Sequence, residues 1–344
     1  MTRFVQLHAL VSYPPANLNR DGLGYPKTAA MGGVQRLRVS SQSLKRAWRT
    51  SDLFQQQLAG SIGTRTKRLG HDVFDALRAA GVADKQATEW ASQVAQVYGK
   101  VKKESPIEIE QLVHVAPEER RTLDALAARL AADKRAPTED ELNALLHDHT
   151  AVDIAMFGRM LAAKTEHNEE AAVQVAHAIG VHASAIEEDY FTAVDDLNKD
   201  DSGAGHVGEA GFAAAVFYLY VCVDRDRLRQ NLGGDDALTQ KALRALAQAV
   251  LTVGPSGKQN SFASRAYAHF AVAEKGSQQP RSLSLAFVKP VNGDDYAADA
   301  VTAFRRVQDN MDKVYGPCAE TRCSLDVLAG EGSLSALLDF VAAE

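Results

Sequence analysis

Ser40 and Ser41 open the run SSQSLKRAWRTSDLFQQQL, in which Lys45 and Arg49 stand four residues apart with Arg46 beside them. Residues at i and i+4 share a helix face, so this spacing sets cations along one side while Leu44 and Trp48 form an apolar stripe next to it. A helix that begins after paired serines also collects unpaired N–H groups at its positive end, beside Ser40, Ser41 and Gln42. The chemistry these residues permit is phosphate binding.

The charge distribution points the same way. The first 70 residues carry eleven basic and two acidic side chains, whereas the 344-residue chain as a whole has a net charge of −6, which leaves the remainder at −15. A basic segment on an otherwise acidic chain suggests a local surface for a polyanion. Solvated surfaces can also be basic, so charge alone leaves nucleic acid and an ordinary surface about equally open. Arg20 and Lys27 belong to the stretch NLNRDGLGYPKTAAMGG, whose glycines, proline and turn-forming Asn and Asp mark a long loop. Loops of that length are usually functional or disordered.

A second glycine loop, VGPSGKQNS (Val253–Ser261), places Lys258 and Gln259 after Gly257. It is not a phosphate-binding P-loop: Thr252 stands where the first glycine belongs, and Gln259 stands where a Ser or Thr would hold magnesium. Its backbone and its polar side chains can still meet a polyanion.

Other chemistries find little support. The ten histidines include His177 and His182 but no HExxH, and no spacing of His, Cys and Asp recommends a metal. Neither a GxSxG elbow nor a CxxC pair occurs, and three cysteines are an odd number for a disulfide framework. No cofactor is expected. Asp21 is the lone carboxylate among the first fifty residues, where it can close a turn with Asn19 and Gly22. With no apolar run long enough for a membrane span and no secretory signal pattern, the chain is expected in the cytosol, away from membranes.

These residues need elements to hold them. Residues 3–13 alternate, with Val5, Leu7, Ala9 and Val11 on one face and Gln6 and His8 on the other, which predicts a half-buried strand. A short strand is expected at Val34–Val39, then the basic helix over residues 41–58. Residues 70–185 read as almost wholly helical. Residues 191–212 look irregular, and Phe212–Val223 reads as a central strand buried on both faces. A helix over 235–252, a strand over Ser282–Val288 and helices near 294–313 and 333–343 complete the chain, with no internal repeat. Strands on either side of a helical block predict an α+β fold with a ferredoxin-like, RNA-recognition-motif core and a large helical insertion.

The stretch Tyr13–Ser51, YPPANLNRDGLGYPKTAAMGGVQRLRVSSQSLKRAWRTS, resembles the N-terminal signature of the CasC family. CasC is the repeated backbone subunit of Cascade, the type I-E CRISPR surveillance complex. The resemblance extends through AVDIAMFGRM (Ala151–Met160), DYFTAVDDL (Asp189–Leu197) and QNLGG (Gln230–Gly234), so it covers nearly the whole chain. It implies a hand-shaped protein of the RAMP superfamily. The modified ferredoxin-like palm would take residues 1–60 and 180–344, helical fingers residues 61–180, and a β-thumb residues 193–211.

The resemblance further implies a non-catalytic ribonucleoprotein subunit that polymerises as a helical filament along CRISPR RNA. It would associate with other Cascade subunits and present the guide to target DNA in antiviral defence. Arg20, Lys27, Ser40, Gln42, Lys45, Arg46, Arg49, Lys258 and Gln259 would meet the RNA backbone. Met160 would wedge against bases beside a kink, with His206 and Val207 at the thumb tip. Read without the resemblance, a methionine at an apolar position packs a helix core. Relatives in the type III branch cut RNA with an aspartate in the first palm loop. A metal-dependent endoribonuclease using Asp21 is therefore the alternative.

Overall fold

The computed structural model describes residues 2–162, 164–193 and 206–343. They form two compact units, one of residues 1–54, 174–224 and 243–344, the other of residues 55–173 and 225–242. The chain is 41% helix and 25% strand, with an antiparallel sheet, and so belongs to the α+β class.

The sheet lies in the first unit. In chain order its main strands are β1 (Phe4–Ala16), β2 (Thr28–Met31), β3 (Val34–Val39), β4 (Ala178–Gly180), β5 (Glu187–Ala193), β6 (His206–Asp224), β7 (Ala268–Gly276) and β8 (Thr321–Asp326), and a ninth, short strand, Val173–Val175, pairs with β6. In space they follow β8-β7-β1-β6-β4-β3-β2, and β5 pairs with the outer half of β6, from Glu187 opposite Phe212 to Ala193 opposite His206. Residues 206–212, expected to be irregular, are therefore strand: pairing with β5 satisfies a glycine-rich backbone that has weak strand propensity of its own. Most of the expected thumb, residues 194–205, lies outside the described residues.

β1 is an interior strand beside the central β6, and it is buried on both faces, not half-buried as its alternation predicts. Val5 and Leu7 are covered, and so are Gln6 and His8, because β6 and β7 flank the strand and partners satisfy its polar side. His8 Nδ1 lies 2.8 Å from the Tyr218 hydroxyl, and Gln6 Oε1 accepts from the Tyr220 hydroxyl at 2.8 Å. Leu10, Tyr218, Phe270, Phe287 and Phe304 pack together in a core of this unit.

Two further expectations change. Residues 282–288 form a 3₁₀ turn, Ser284–Phe287, and not a strand. Leu283 and Phe287 are buried but Leu285 is 58% exposed, so the apolar positions serve a turn and not one strand face. The predicted helix over 41–58 divides into α1 (Ser41–Arg49) and a short helix Asp52–Gln57. The Thr50 and Ser51 hydroxyls donate to the Arg46 and Trp48 carbonyls, and the Ser51 oxygen accepts from Phe54 N–H, so side chains end one helix and cap the next. Strands β7 and β8 are not among the elements expected from local pattern. Their formation depends on pairing with β1 and with each other.

The second unit is largely helical, but residues 70–185 are less helical than predicted, since β4 and the 3₁₀ turn Thr165–His167 fall within them. Helices Leu69–Ala79, Asp84–Tyr98 and Pro117–Asp133 pack Val73, Leu77, Trp90, Val94, Leu123 and Leu130 into one core. A two-stranded ladder, Thr64–Thr66 with Val113–Val115, lies beside them in sequence.

Arg36 corrects the charge reading. It is fully buried, and its guanidinium donates to the carbonyls of Gly180 at 3.0 Å, Phe287 at 3.0 Å and Val288 at 3.2 Å. It thus ties β3 to β4 and to the 3₁₀ turn and is withdrawn from any anion-binding surface. Arg36→Leu is expected to destabilise this unit by about 1.5–3 kcal/mol, the worth of charged hydrogen bonds lost from buried carbonyls, while polyanion affinity stays as in wild type. Urea denaturation alongside a binding titration checks both halves.

Candidate nucleic-acid interface

Three segments of the sheet-bearing unit meet at one cleft. The first is the loop after β1, which is ordered by its own polar groups. Asn17 Nδ2 donates to the carbonyls of Gly24 and Gly211, Asn19 Oδ1 accepts from Ser40 N–H at 2.9 Å, and Lys27 N–H donates to the Asn19 carbonyl. The Asp21 carboxylate accepts from Leu23 N–H at 2.9 Å and Tyr25 N–H at 3.0 Å, so it closes the turn as the local reading expects. Arg20 is left exposed beside it.

The second segment is α1. Its N-cap, Ser40, has φ −69° and ψ 145°, and its side chain accepts from Ser43 N–H. Leu44 and Trp48 are buried, and Trp48 Nε1 donates to the Val253 carbonyl at 3.2 Å, which fixes the rotation of the helix. Gln42 and Arg46 are exposed, whereas Lys45 and Arg49 are partly covered. The phosphate cradle expected at the helix start is mostly filled by the protein itself. Ser41 N–H donates to His177 Nδ1 at 2.9 Å and Ser43 N–H to Ser40 Oγ, which leaves Gln42 N–H as the remaining donor of the opening turn.

The third segment is the glycine loop. A Cβ on Gly257 would lie 2.4 Å from the Leu18 carbonyl oxygen, so only glycine lets this loop press against the first. Lys258, the next residue, is exposed and held at φ 51° in the left-handed region. The Gln259 amide, turned so that its oxygen faces donors, accepts from Ser264 N–H at 3.1 Å and Arg265 N–H at 3.2 Å. Its oxygen therefore braces the loop and is unavailable as an outward acceptor.

The resulting cleft has a volume of about 420 Å³ and is lined by Arg20, Asp21, Ser43, Arg46, Thr50 and Gly257 among others. Of the expected contacts, Arg20 and Arg46 face it directly. Lys27 and Lys45 instead lie with Arg38 around His177, whose imidazole is held below its usual pKa by burial and by those three cations. With Nδ1 accepting a backbone N–H, His177 is neutral and carries its proton on Nε2, an additional donor in a basic surrounding. Nothing in the local sequence distinguishes His177, since its partner Ser41 is 136 positions away.

Met160 belongs to the other unit. It is 84% exposed, while Arg159 and Leu161 on either side are buried. Arg159 donates to both Glu119 oxygens, at 2.7 and 2.9 Å, and to the His114 carbonyl, and its backbone pairs with Glu169. Buried neighbours thus hold an exposed methionine outward, and the helix-core reading of Met160 is set aside. Met160→Ala is expected to change unfolding free energy by less than about 0.5 kcal/mol. Arg159→Ala, which strands the buried Glu119, should cost about 3–5 kcal/mol. Thermal or denaturant unfolding of the two variants distinguishes an outward-held side chain from core packing.

His206 and Val207 lie on β6 opposite Ala193 and Thr192, but their side chains are outside the described residues. Among the described residues, no group of three or more His, Cys, Asp and Glu side chains is placed to hold a metal ion, and no helix is long and apolar enough to cross a membrane.

A family model described as "CT1975-like protein" matches residues 5–335. No curated protein matches the sequence. Among solved structures, the chain is similar to a chain of a "CRISPR RNA-guided surveillance complex, pre-nicking", with 30% identity, a TM-score of 0.82 and 99% of both chains covered. It is also similar to a chain of a "CRISPR RNA-guided surveillance complex", with 28% identity, a TM-score of 0.63, and 99% of this chain and 98% of the other covered.

Proposed function

The chain belongs to the CT1975-like protein family, and from that premise we propose that it is a non-catalytic, CRISPR RNA-binding backbone subunit of a type I-E Cascade complex, the CasC role. Copies of it assemble along the spacer of the guide in the cytoplasm, together with other subunits, and hold the guide for pairing with target DNA. The observation that carries this reading is the cleft in which Arg20 and Arg46 converge beside Lys258, in a chain that matches a surveillance-complex chain over its full length. Lys27, Ser40, Gln42, Lys45, Arg49 and Gln259 contribute around it, and Met160 and the thumb act on the bases.

The topology supports an RNA-recognition palm. β1, α1, β4, β6, the helix Asp236–Thr252 and β7 follow one another as strand, helix, strand, strand, helix, strand, and the four strands lie in the order β7-β1-β6-β4. A ferredoxin-like fold has the same order, which supports this reading, with the β2–β3 hairpin and β8 as elaborations of it. Cations and backbone donors recognise sugar and phosphate without reading bases, as a subunit accepting any spacer requires.

Purification from the native host followed by sequencing of the bound RNA tests the proposal. Repeat-flanked small RNAs of uniform length support it. RNA-free protein, or a random sample of cellular transcripts, overturns it.

The alternative has one observation in its favour, that Asp21 also lines the basic cleft. Its carboxylate, however, is engaged by two backbone N–H groups of its own turn, which supports a structural role. Incubating guide-paired RNA with magnesium or manganese, using wild type and Asp21→Ala, separates the two; cuts that depend on Asp21 establish the nuclease.

A further inference from the structure

A larger groove, about 710 Å³, adjoins the basic cleft and shares Ala47, Thr50 and Ser256 with it. Its wall beyond those residues includes Val253–Pro255, Gln259 and Ser264–Tyr267, with Asp52 on the α1 side. None of the residues expected to meet RNA explains why Tyr267 stands 72% exposed at its rim with the exposed Arg265 two positions before it.

We propose that this groove is a base-binding subsite, in which Tyr267 stacks on a nucleobase of the RNA strand whose phosphate occupies the adjoining Arg20–Arg46 cleft. The inference rests on the RNA-binding reading and extends it to residues outside the expected set. A nucleotide is anionic at one end and carries a flat π face at the other. The two connected depressions offer the matching pair, cations in one and an aromatic ring with a guanidinium in the other.

The groove is built to keep its shape. The Val253 carbonyl is held by Trp48 Nε1, and a Cβ on Gly254 would come within 2.6 Å of the Tyr13 hydroxyl, so this wall rests directly on buried side chains. On the other wall, Lys258 and Ala263 both adopt positive φ, 51° and 47°, around the short helix Gln259–Phe262. Left-handed backbone at residues other than glycine persists only where surrounding contacts impose it, and it collects at binding sites. Here the Gln259 side chain imposes it, through the N–H groups of Ser264 and Arg265. The segment that carries Arg265 and Tyr267 is therefore preorganised before any ligand arrives.

Charge decides which end of a nucleotide goes where. Asp52 disfavours a phosphate in the larger groove, but its oxygens can accept from a base amino group or a ribose 2′-hydroxyl. Phosphate is directed to the Arg20–Arg46 side. Stacking on tyrosine tolerates any base, so the subsite adds affinity without sequence preference.

The test compares wild type with Tyr267→Ala, Tyr267→Phe and Arg265→Ala, titrated with single-stranded oligouridylate and oligoadenylate at several salt concentrations. Tyr267→Ala is expected to weaken both oligonucleotides by roughly 5- to 150-fold, the worth of one stacked base, with an unchanged salt slope because no charge is removed. Tyr267→Phe should bind as wild type, and photocrosslinking of 4-thiouridine-labelled RNA should reach Tyr267. The exposed position lets all variants keep the wild-type melting temperature. Wild-type affinity in Tyr267→Ala, or an equal loss in Tyr267→Phe, overturns the stacking assignment while RNA binding by the chain stands. If wild type binds neither oligonucleotide, the RNA-binding reading falls and the subsite falls with it. A crosslink to protein partners and none to RNA assigns the groove to a protein and likewise refutes the proposal.

Discussion

Replacing Arg20, Arg46 and Lys258 together by alanine should lower affinity for single-stranded RNA by at least about three orders of magnitude, because each charge-assisted contact to phosphate is worth about 1.5–3 kcal/mol. If each side chain neutralises one phosphate, the slope of log K against log salt should shrink by about 2, at about 0.7 per contact on single strands. The loss should be equal for unrelated sequences, since the residues act on backbone and not on base edges. Stability should hardly change: Arg20, Arg46 and Lys258 are all exposed, and exposed charges contribute little to folding. Binding titrations at four or five salt concentrations read the slope directly. An unchanged slope, or a loss confined to particular sequences, would remove this cleft from the RNA path. The same measurement on Arg36→Leu serves as the contrast, because that arginine is equally basic in sequence and wholly buried in the fold.

Glu274→Gln should lower stability by about 3–5 kcal/mol, as much as Arg159→Ala in the other unit, since it removes the shared anion of a buried network. Glu274 is fully buried on β7, directly opposite Gln6 of β1 and Arg322 of β8. Its oxygens receive Arg281, Arg322 Nε at 2.8 Å and Gln308 Nε2 at 2.9 Å, and His8 Nε2 lies 3.4 Å away. Burial alone would raise the carboxyl; His8 and the arginines outweigh it and hold Glu274 well below the usual carboxylate range. His8 is held below its ordinary value by burial, against the opposing pull of Glu274, and its Nδ1 lies beside the Tyr218 hydroxyl.

The sign follows for both groups. Each has a folded pKa below its unfolded one, so each contributes stability that is complete above the unfolded value and is lost as pH falls beneath it. Wild type should begin to weaken below about pH 6.5, where His8 protonates in the unfolded chain, and more steeply below about pH 4.3, where Glu274 does. The Gln variant should start less stable and lack the part of the lower limb due to that carboxylate. Urea unfolding at pH 8, 6 and 4 checks the magnitude and the shape. A variant within about 0.5 kcal/mol of wild type at pH 8 would show that the network does not hold the sheet.

The arginines divide what sequence could and could not resolve. Arg20, Arg36, Arg38 and Arg46 are indistinguishable as charges in a basic stretch. Arg20 and Arg46 line the cleft, Arg38 stands among the cations around His177, and Arg36 is enclosed by carbonyls from two distant segments. Burial is a property of what packs over a residue, and the atoms covering Arg36 come from residues 180, 287 and 288. The helix start shows the same limit. Paired serines correctly marked the N-terminus of α1, because capping is a local hydrogen bond between Ser40 and Ser43. Whether that terminus was open to an anion depended on His177 and Asn19, which reach it through tertiary structure.

Periodicity and local turn chemistry thus determined β1, β3, the start of α1, the apolar core of β6, the helices Asp236–Thr252, Tyr296–Tyr315 and Leu334–Ala342, and the turn closed by Asp21, since each depends on neighbours within a few residues. Tertiary structure alone decided that β7 and β8 exist as strands, that residues 282–288 curl into a 3₁₀ turn, and that Gln6 and His8 sit inside a buried polar network. It also decided that Gly257 presses the second loop against the first, joining Arg20 to Arg46 in one cleft. The physical reason is common to all of these: strand pairing, burial and the meeting of loops are set by contacts between residues tens to hundreds of positions apart, and no local pattern encodes which distant backbone will supply the partner.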